Sequence, residues 1–158
     1  MAIAQKPITP IGIDLYRQEF KLMIEERQFW VKEKERAACL GDRSENAEYV
    51  SAKEMIRNLD RRLRYIQSLL QTVRVIDPST IPNKDVRFGK KIVFDDNSYL
   101  VLVGSHELSL FKNSISNHAP IGKALLGKTV GDRVKIGKDQ LEIVEIVSIT
   151  KGDVLVKD

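Results

Sequence analysis

Residues 41–49 read Gly-Asp-Arg-Ser-Glu-Asn-Ala-Glu-Tyr, a short polar stretch with three carboxylates that separates two long helical segments. On its C-terminal side, apolar residues recur at alternating spacings of four and three, at Ala52, Ile56, Leu59, Leu63, Ile66, Leu70 and Val73. This pattern is typical of a helix that packs lengthwise on a partner helix. We therefore predict that residues 41–49 form the tip of a helical hairpin.

The partner helix is predicted on the N-terminal side of this tip. Thr9 is a suitable N-cap, and Pro10 suits the first helical position, where its missing N–H costs nothing. Apolar pairs then return every seven residues and form a broad stripe, at Leu15/Tyr16, Leu22/Met23 and Phe29/Trp30. Gly41 is expected to end this helix after about Leu40. Two segments of roughly 30 residues would make a hairpin about 45 Å long.

A turn-rich linker follows the second helix. Residues 74–90 contain Pro78 and Pro82 among small polar residues, a composition that favours turns over a regular element. We therefore place a domain boundary there, between a hairpin of residues 1–76 and a second domain of residues 77–158.

The second domain is predicted to be a small sheet with one helix. Short β-type runs separated by turn residues lie at Lys91–Phe94, Tyr99–Val103, Arg133–Ile136, Leu141–Ile149 and Val154–Val156. A short helix is expected to begin at Pro120 and to end at Gly127. The predicted fold class is therefore α+β, with an N-terminal antiparallel helical hairpin followed by an antiparallel β-sheet domain with one helix.

Composition narrows the class of protein. The chain has 42% hydrophobic and 30% charged residues, which is typical of a globular protein, and its net charge of +4 permits a nucleic-acid partner without demanding one. With Cys39 as the single cysteine and only two histidines, a disulfide framework and a conventional Cys/His metal site are not expected. The sequence shows no export signal and no apolar run of membrane-spanning length. We expect a cytoplasmic monomer that does not enter a membrane.

Three separated motifs resemble those of the bacterial Gre transcript-cleavage factors, the GreA/GreB family, which bind RNA polymerase. These are the tip at residues 41–49, the segment Asp60–Ile66, which is nearer the GreB subtype, and the segment Ile115–Lys128. The resemblance covers nearly the whole chain in the right order. It implies an N-terminal coiled coil and an FKBP-like C-terminal domain, which agrees with the division inferred from the pattern.

The resemblance also implies a function and two partners. In the family, the globular domain binds the rim of the secondary channel of RNA polymerase, and the coiled coil passes down that channel to the active site. There it stimulates cleavage of the backtracked 3′ end of the nascent RNA and rescues arrested complexes. A Gre-like protein is accordingly expected not to be an enzyme itself but to supply acidic residues to the polymerase.

Asp42 and Glu45 match the catalytic acids of the family. Hydrolysis of RNA by two-metal chemistry needs a second divalent ion that clamps the scissile phosphate and lowers the pKa of the attacking water. Mg²⁺ prefers hard oxygen ligands and keeps several waters, so two carboxylates can complete a site whose other ligands belong to the polymerase and the RNA. We expect Asp42 to ligate mainly the metal and Glu45 the metal-bound water, with no tight Mg²⁺ site in the free chain.

The same spacing also fits a purely structural role. Asp42 could be the N-cap of the second helix and Glu45 the returning partner of a capping box, both favoured by the helix dipole. The pattern alone leaves this alternative open. Glu48 is expected to be a solvated acid or a partner of Arg43.

A basic stripe follows the tip. Lys53, Arg57, Arg61 and Arg64 succeed one another at spacings of four, four and three, which places them on one face of the second helix. Such a stripe could bind the phosphates of a displaced RNA 3′ end without reading its bases. The alternative is a solvated flank paired with acids of the first helix. Glu54 and Met55 stand where the GreB subtype tends to carry further basic residues, so GreA-like behaviour also stays open.

The third motif carries the expected polymerase contact. By resemblance it includes Ser116, Ala119, Pro120 and Ile121, with Ala119 where a serine is usual. Ile121 and Leu125 lie four apart on one helical face, so both are also expected to pack into the core. Two alternatives remain beside a cleavage factor: a catalytically silent Gre-like inhibitor that plugs the same channel, and an FKBP-like prolyl isomerase or chaperone.

Overall fold

The computed structural model describes residues 5–43 and 45–155 of the chain. These residues form two compact units, one within residues 14–72 and the other combining residues 5–13 with residues 73–155. The first unit is a helical hairpin, and the second contains a five-stranded β-sheet. The predicted α+β class, with a helical hairpin before a sheet domain, is confirmed. No helix within the described ranges is long and apolar enough to cross a membrane.

The hairpin consists of helix α1, Pro10–Ala38, and helix α2, Ala47–Thr72. The predicted start of α1 is confirmed, because the backbone N–H of Gly12 donates to Thr9 Oγ1 at 3.0 Å and that of Ile13 donates to the Thr9 carbonyl at 3.0 Å. The helix ends slightly earlier than predicted. The N–H groups of Cys39 and Leu40 turn to carbonyls three residues back, which tightens the last turn before Gly41.

The two helices run antiparallel and are joined by charged pairs along their flanks. Arg62 donates to Glu19 at 2.7 Å and Arg27 donates to Asp60 at 2.6 Å, so residues later in α1 meet residues earlier in α2. The hydrogen bond from Arg27 also lowers the pKa of the Asp60 carboxyl. These pairs confirm the antiparallel hairpin and define its register.

The apolar seam of α2 largely follows the predicted series. Ala52, Leu59 and Ile66 of that series are buried, while Ile56, Leu63 and Leu70 are half-buried. Leu69, which was not in the predicted series, is also buried. The prediction that the helical series continues to Val73 is wrong, because Val73 lies in a strand. The chain becomes extended there because residues 73–75 pair with an N-terminal strand.

That pairing was not predicted from the sequence. Strand β1, Lys6–Ile8, lies parallel to strand β2, Val73–Val75, with Lys6 opposite Val73. The N–H of Ile76 also donates to the Ile8 carbonyl at 2.9 Å. The N-terminal residues therefore belong to the same unit as the sheet, and the domain limits of 1–76 and 77–158 stay a prediction.

The main sheet of this unit has the strand order β5-β4-β3-β7-β6. Its strands are β3 Lys90–Phe94, β4 Tyr99–Val103, β5 Ser114–Ser116, β6 Arg133–Ile136 and β7 Asp139–Ser148. The pairings of β3 with β4 and β7, and of β6 with β7, are antiparallel as predicted. The pairing of β4 with β5 is parallel, which corrects the prediction of a purely antiparallel sheet. The connection through residues 104–113 acts as the crossover that a parallel neighbour needs.

The prediction of a strand that begins at Val154 is also wrong. Residues Lys151–Asp153 form a 3₁₀ turn, and Val154 makes a single antiparallel bridge with Phe111. Val156 lies outside the described residues. Helix α3, Pro120–Leu125, agrees with the prediction and places Leu125 fully in the core.

One hydrophobic cluster fills the space between α3 and the sheet. Its buried members are Val86, Ile92, Phe94, Leu102, Leu125, Val134, Ile143 and Ile146. Ile121 is partly buried against this cluster, so its predicted packing role is confirmed.

The linker before the sheet is held down by a buried lysine. Four oxygens surround Lys90 Nζ and share its three N–H donors. They are the carbonyls of Pro78 and Ile81 at 2.8 and 2.6 Å, Asn83 Oδ1 at 2.7 Å and Ser148 Oγ at 2.9 Å. Burial lowers the pKa of this ammonium, but the surrounding oxygens satisfy its donors. The turn-rich segment is thus an ordered part of the unit.

A buried carboxylate holds the start of α1 in place. Glu107 is fully buried and accepts hydrogen bonds from the backbone N–H of Thr9, at 3.0 Å, and from the Thr9 hydroxyl. Its carboxyl group lies so close to Gly12 that a Cβ atom there would be 2.3 Å from Oε2. Burial raises the pKa of Glu107 to about 7.

We expect Glu107 to make stability depend on pH. Its pKa in the folded protein exceeds the ordinary value of 4.5, so the folded state binds a proton that the unfolded chain has released. This contribution is complete below about pH 4.5 and is lost as the pH rises through about 7, with a total effect of up to roughly 3 kcal/mol. Glu107→Gln stays neutral and keeps a partner for Thr9. Urea unfolding at pH 5 and pH 8 should show that the variant loses less stability than the wild type. Equal losses in both proteins would contradict the assignment.

Candidate functional site

The tip of the hairpin is organised by Asn46. Its side-chain Oδ1 accepts the backbone N–H of Tyr49 at 3.1 Å, and its carbonyl accepts the N–H of Val50 at 3.0 Å. These two bonds make Asn46 the N-cap of α2. The alternative that Asp42 is the N-cap and Glu45 its capping-box partner is therefore wrong. Asn caps a helix about as well as Asp, and Asn46 directly precedes the first helical residue.

The same side chain also reaches the first helix. Asn46 Nδ2 donates to the Ala37 carbonyl at 2.6 Å, in the last turn of α1. Ala37 near the end of α1 and Ala52 in α2 are almost completely buried. Both helix ends at the tip are thus joined through one amide group.

Asp42 and Glu45 lie in the loop between the helices, and both are exposed. The N–H of Glu45 donates to the Asp42 carbonyl at 3.3 Å, a turn that brings the two residues together. They line an open depression of about 300 Å³ with Glu48, and the other lining residues are Leu40, Gly41, Asn46 and Ala47. The structure therefore brings the two predicted acids to one exposed place.

The donor set fits part of a magnesium site. Carboxylate oxygens are the ligands that Mg²⁺ prefers, but the ion needs six ligands in octahedral geometry. In the described part of the chain, no group of three or more His, Cys, Asp or Glu side chains could hold a metal ion. Asp42 and Glu45 together can supply only a fraction of the ligands, and the remainder would have to come from elsewhere.

Glu48 is exposed, as expected of a solvated acid, but its ion-pair partner is not the expected Arg43. Arg36 of α1 donates to Glu48 Oε2 at 3.0 Å and also to Glu33 at 3.0 Å, and the bonds to Glu33 and Glu48 raise the pKa of the Arg36 guanidinium. Glu48 is therefore not the partner of Arg43. The Arg43 guanidinium lies 5.7 Å from the centroid of the Tyr49 ring.

The four residues of the basic stripe are all exposed on α2, at Lys53, Arg57, Arg61 and Arg64. Within the stripe, Arg57 donates to Glu54 on the same helix at 3.1 Å, and Arg64 lies near enough to Asp60 to contribute to its lowered pKa. The cross-helix pair with Glu19 is made by Arg62, which is not part of the stripe.

A groove connects the basic stripe to the tip. It has a volume of about 400 Å³ and is lined by Arg43, Tyr49, Val50, Lys53, Glu54 and Arg57. Three of these side chains are cationic and one is acidic. The contributions of Arg43 and Tyr49 were not foreseen, although Tyr49 and Lys53 are four residues apart and so share a helical face.

The predicted polymerase-binding residues surround the start of α3. Ser116 accepts the N–H of His118 through its hydroxyl at 3.1 Å and the N–H of Ala119 through its carbonyl at 3.1 Å. A Cβ atom at Gly122 would be 2.1 Å from the Ser116 carbonyl oxygen, so this turn is closely packed. Pro120 and His118 are exposed, whereas Ser116, Ala119 and Ile121 are half-buried.

Comparison with known proteins gives two matching family models. One, described as transcription elongation factor, N-terminal, matches residues 6–75, and the other, described as transcription elongation factor, GreA/GreB, C-term, matches residues 81–151. Transcription elongation factor GreA of Nitratiruptor is 34% identical over 90% of this chain and 93% of its own length. Transcription elongation factor GreB of Haemophilus ducreyi is 37% identical over 82% of this chain and 83% of its own. The nearer likeness to GreB stays a prediction.

Solved structures are also similar. The crystal structure of GreA factor homolog 1 (Gfh1) of Thermus thermophilus aligns with 91% of this chain and 99% of its own, with 19% identity and a TM-score of 0.45.

We expect the free chain to bind Mg²⁺ only weakly. Two exposed carboxylates leave most of the coordination sphere to water, so the dissociation constant should lie above about 1 mM. Isothermal titration calorimetry with Mg²⁺, compared between the wild type and Asp42→Asn, would measure it. Saturable binding below that range, lost in Asp42→Asn, would show that the tip forms a complete site by itself.

Proposed function

Because the chain belongs to the GreA/GreB family of transcription elongation factors, we propose that it binds RNA polymerase and stimulates cleavage of the backtracked RNA 3′ end in the polymerase active site. The protein does not hydrolyse RNA alone. It brings acidic side chains to an active site that belongs to its partner.

One observation carries this proposal: Asp42 and Glu45 lie together at the exposed end of the hairpin, and neither caps a helix. Asn46 begins α2, so the two acids are not needed for that task. Exposed carboxylates at the end of a slender element can enter a site that a globular domain cannot reach.

The incomplete ligand set suits a shared metal ion. When bound, Mg²⁺ would supply charge neutralisation at the scissile phosphate and a more acidic attacking water. Asp42 would contribute an oxygen ligand, and Glu45 would orient the attacking water by accepting a hydrogen bond from it. The remaining ligands would come from the polymerase and the RNA.

The basic stripe and the groove beside the tip would hold the displaced RNA. Arg43, Lys53 and Arg57 line the groove, and Arg61 and Arg64 extend the cationic face along α2. Contacts of this kind bind phosphates and position the strand, but they do not read sequence.

The C-terminal unit would provide the attachment to polymerase. Pro120 is exposed beside Ser116 and Ala119, so these residues can contact a partner. Ile121 packs partly on the core, and its contribution would be to hold the turn in place.

Substitution of the tip acids tests the proposal. Asp42→Asn and Glu45→Gln should each reduce stimulated cleavage by about 100-fold or more at saturating protein, because removal of a metal ligand or water-orienting group destroys the reaction geometry. Glu48→Gln is the matched control, because it makes the same change of charge at a carboxylate that is bound to Arg36. The assay uses a backtracked elongation complex with Mg²⁺ and follows the shortening of the transcript.

Competition against the wild type controls for polymerase binding in these variants. Near-normal cleavage by Asp42→Asn at saturation would contradict the proposed role of the two acids in cleavage. Binding without any cleavage by the wild type would establish the silent channel inhibitor instead.

A second test concerns the basic stripe. The double variant Arg57→Gln/Arg61→Gln should raise the protein concentration needed for half-maximal cleavage, and the difference from the wild type should shrink as salt increases, since phosphate contacts are screened. Arg17→Gln, an exposed arginine on α1, serves as the control. An effect of equal size at low and high salt would argue against phosphate binding by this stripe.

A further inference from the structure

The side chain of Asn46 bonds to both helices of the hairpin, and we propose that it is a positioning residue for the cleavage reaction. By joining the N-terminus of α2 to the last turn of α1, it holds the loop that carries Asp42 and Glu45. This inference rests on the proposed function, because the loop needs a fixed shape only if its acids enter a reaction.

The geometry shows why the amide group is suited to this task. Oδ1 accepts from the Tyr49 N–H at 3.1 Å, and Nδ2 donates to the Ala37 carbonyl at 2.6 Å. The amide group of Asn carries a neutral acceptor and an N–H donor on the same rigid plane. Ser, Thr and Asp can cap a helix, but they cannot reproduce both bonds.

A second connection across the tip, among the residues that the structure describes, is weaker. In the ion pair between Arg36 and Glu48, the Arg36 side chain is 54% exposed and the Glu48 side chain is 61% exposed. Exposed ion pairs contribute at most about 1 kcal/mol and are screened by salt. The bond from Asn46 to Ala37 is partly buried, so it holds the two helix ends more firmly.

The loop is sensitive to this bond because Glu45 directly precedes Asn46 in the chain. A shift of Asn46 away from α1 therefore moves the Glu45 backbone as well, and Asp42 is bonded to Glu45 through its carbonyl. Metal and nucleophile geometry tolerates little displacement, since an error of about 1 Å can cost 100-fold in rate. Residues that orient metal ligands without touching the metal typically contribute 10- to 100-fold.

The test uses two variants that retain the N-cap. Asn46→Ser caps the helix, but its hydroxyl lies one bond nearer the backbone and cannot reach Ala37. Asn46→Asp has the shape of asparagine and caps as well, but its carboxylate has no N–H to donate. Asn58→Ser, on the exposed surface of α2, is the matched control. Far-ultraviolet circular dichroism would verify that all variants remain helical.

Two readouts separate a positioning role from a merely structural one. The first is the mobility of a nitroxide label on Cys39, which is exposed near the tip and is the single cysteine of the chain. The second is cleavage of a backtracked complex by unlabelled protein at saturating concentration, titrated with Mg²⁺. We expect both Asn46 variants to mobilise the label, to reduce cleavage about 10-fold at low Mg²⁺, and to recover partly at high Mg²⁺. Competition for polymerase should be unchanged.

Each result decides the question. This inference would be overturned if the label in Asn46→Ser were as immobile as in the wild type. It would also be overturned if Asn46→Ser stimulated cleavage as strongly as an active wild type. Either result would leave the proposed function intact. If the wild type itself fails to stimulate cleavage, the proposed function falls and this inference falls with it.

Discussion

Two antiparallel helices share a single interface, and this constraint governs the whole hairpin. Each helix can bury only a narrow stripe, represented in α2 by Ala52, Leu59, Ile66 and Leu69. A repeating stripe permits the helices to slip by a heptad, a displacement of about 10 Å at the tip. The flanking pairs of Arg62 with Glu19 and Arg27 with Asp60 give each helix one favoured alignment. Their main effect is therefore on register, since charged pairs that remain partly exposed to solvent add little to stability.

The division between what the sequence predicts and what it misses follows the range of the contacts. The start of α1 at Thr9 and Pro10 and the whole of α3 depend on neighbouring residues, so local signals were sufficient. The parallel pairing of β1 with β2 and the burial of Glu107 depend on residues far apart in the chain, and no local pattern reports them. The fold class could be predicted from periodicity and turn residues alone. The parallel direction of β5 could not, because it depends on the path that the chain takes between β4 and β5.

The same distinction applies at the tip. The resemblance to a known family identified Asp42 and Glu45, and the structure places them together, but the spacing also suggested a cap that does not exist. Asn46 is the N-cap because it directly precedes the first residue of α2. The spacing of the acids could not show which of these residues would cap the helix. The partner of Glu48 was misjudged for another reason. Arg36 lies on the opposite helix and reaches Glu48 only because the hairpin is closed.

The burial of Glu107 against Thr9 bears on how the chain folds during synthesis. Thr9 leaves the ribosome early, whereas the carboxylate that receives its N–H is 98 positions later. Helices α1 and α2 can associate before that point, because residues 14–72 form a compact unit. The hydrogen bonds from Thr9 to Glu107 must wait for the C-terminal half, and β1 must wait for β2. Thr9 and β1 are made before their partners, and they therefore acquire their final hydrogen bonds late.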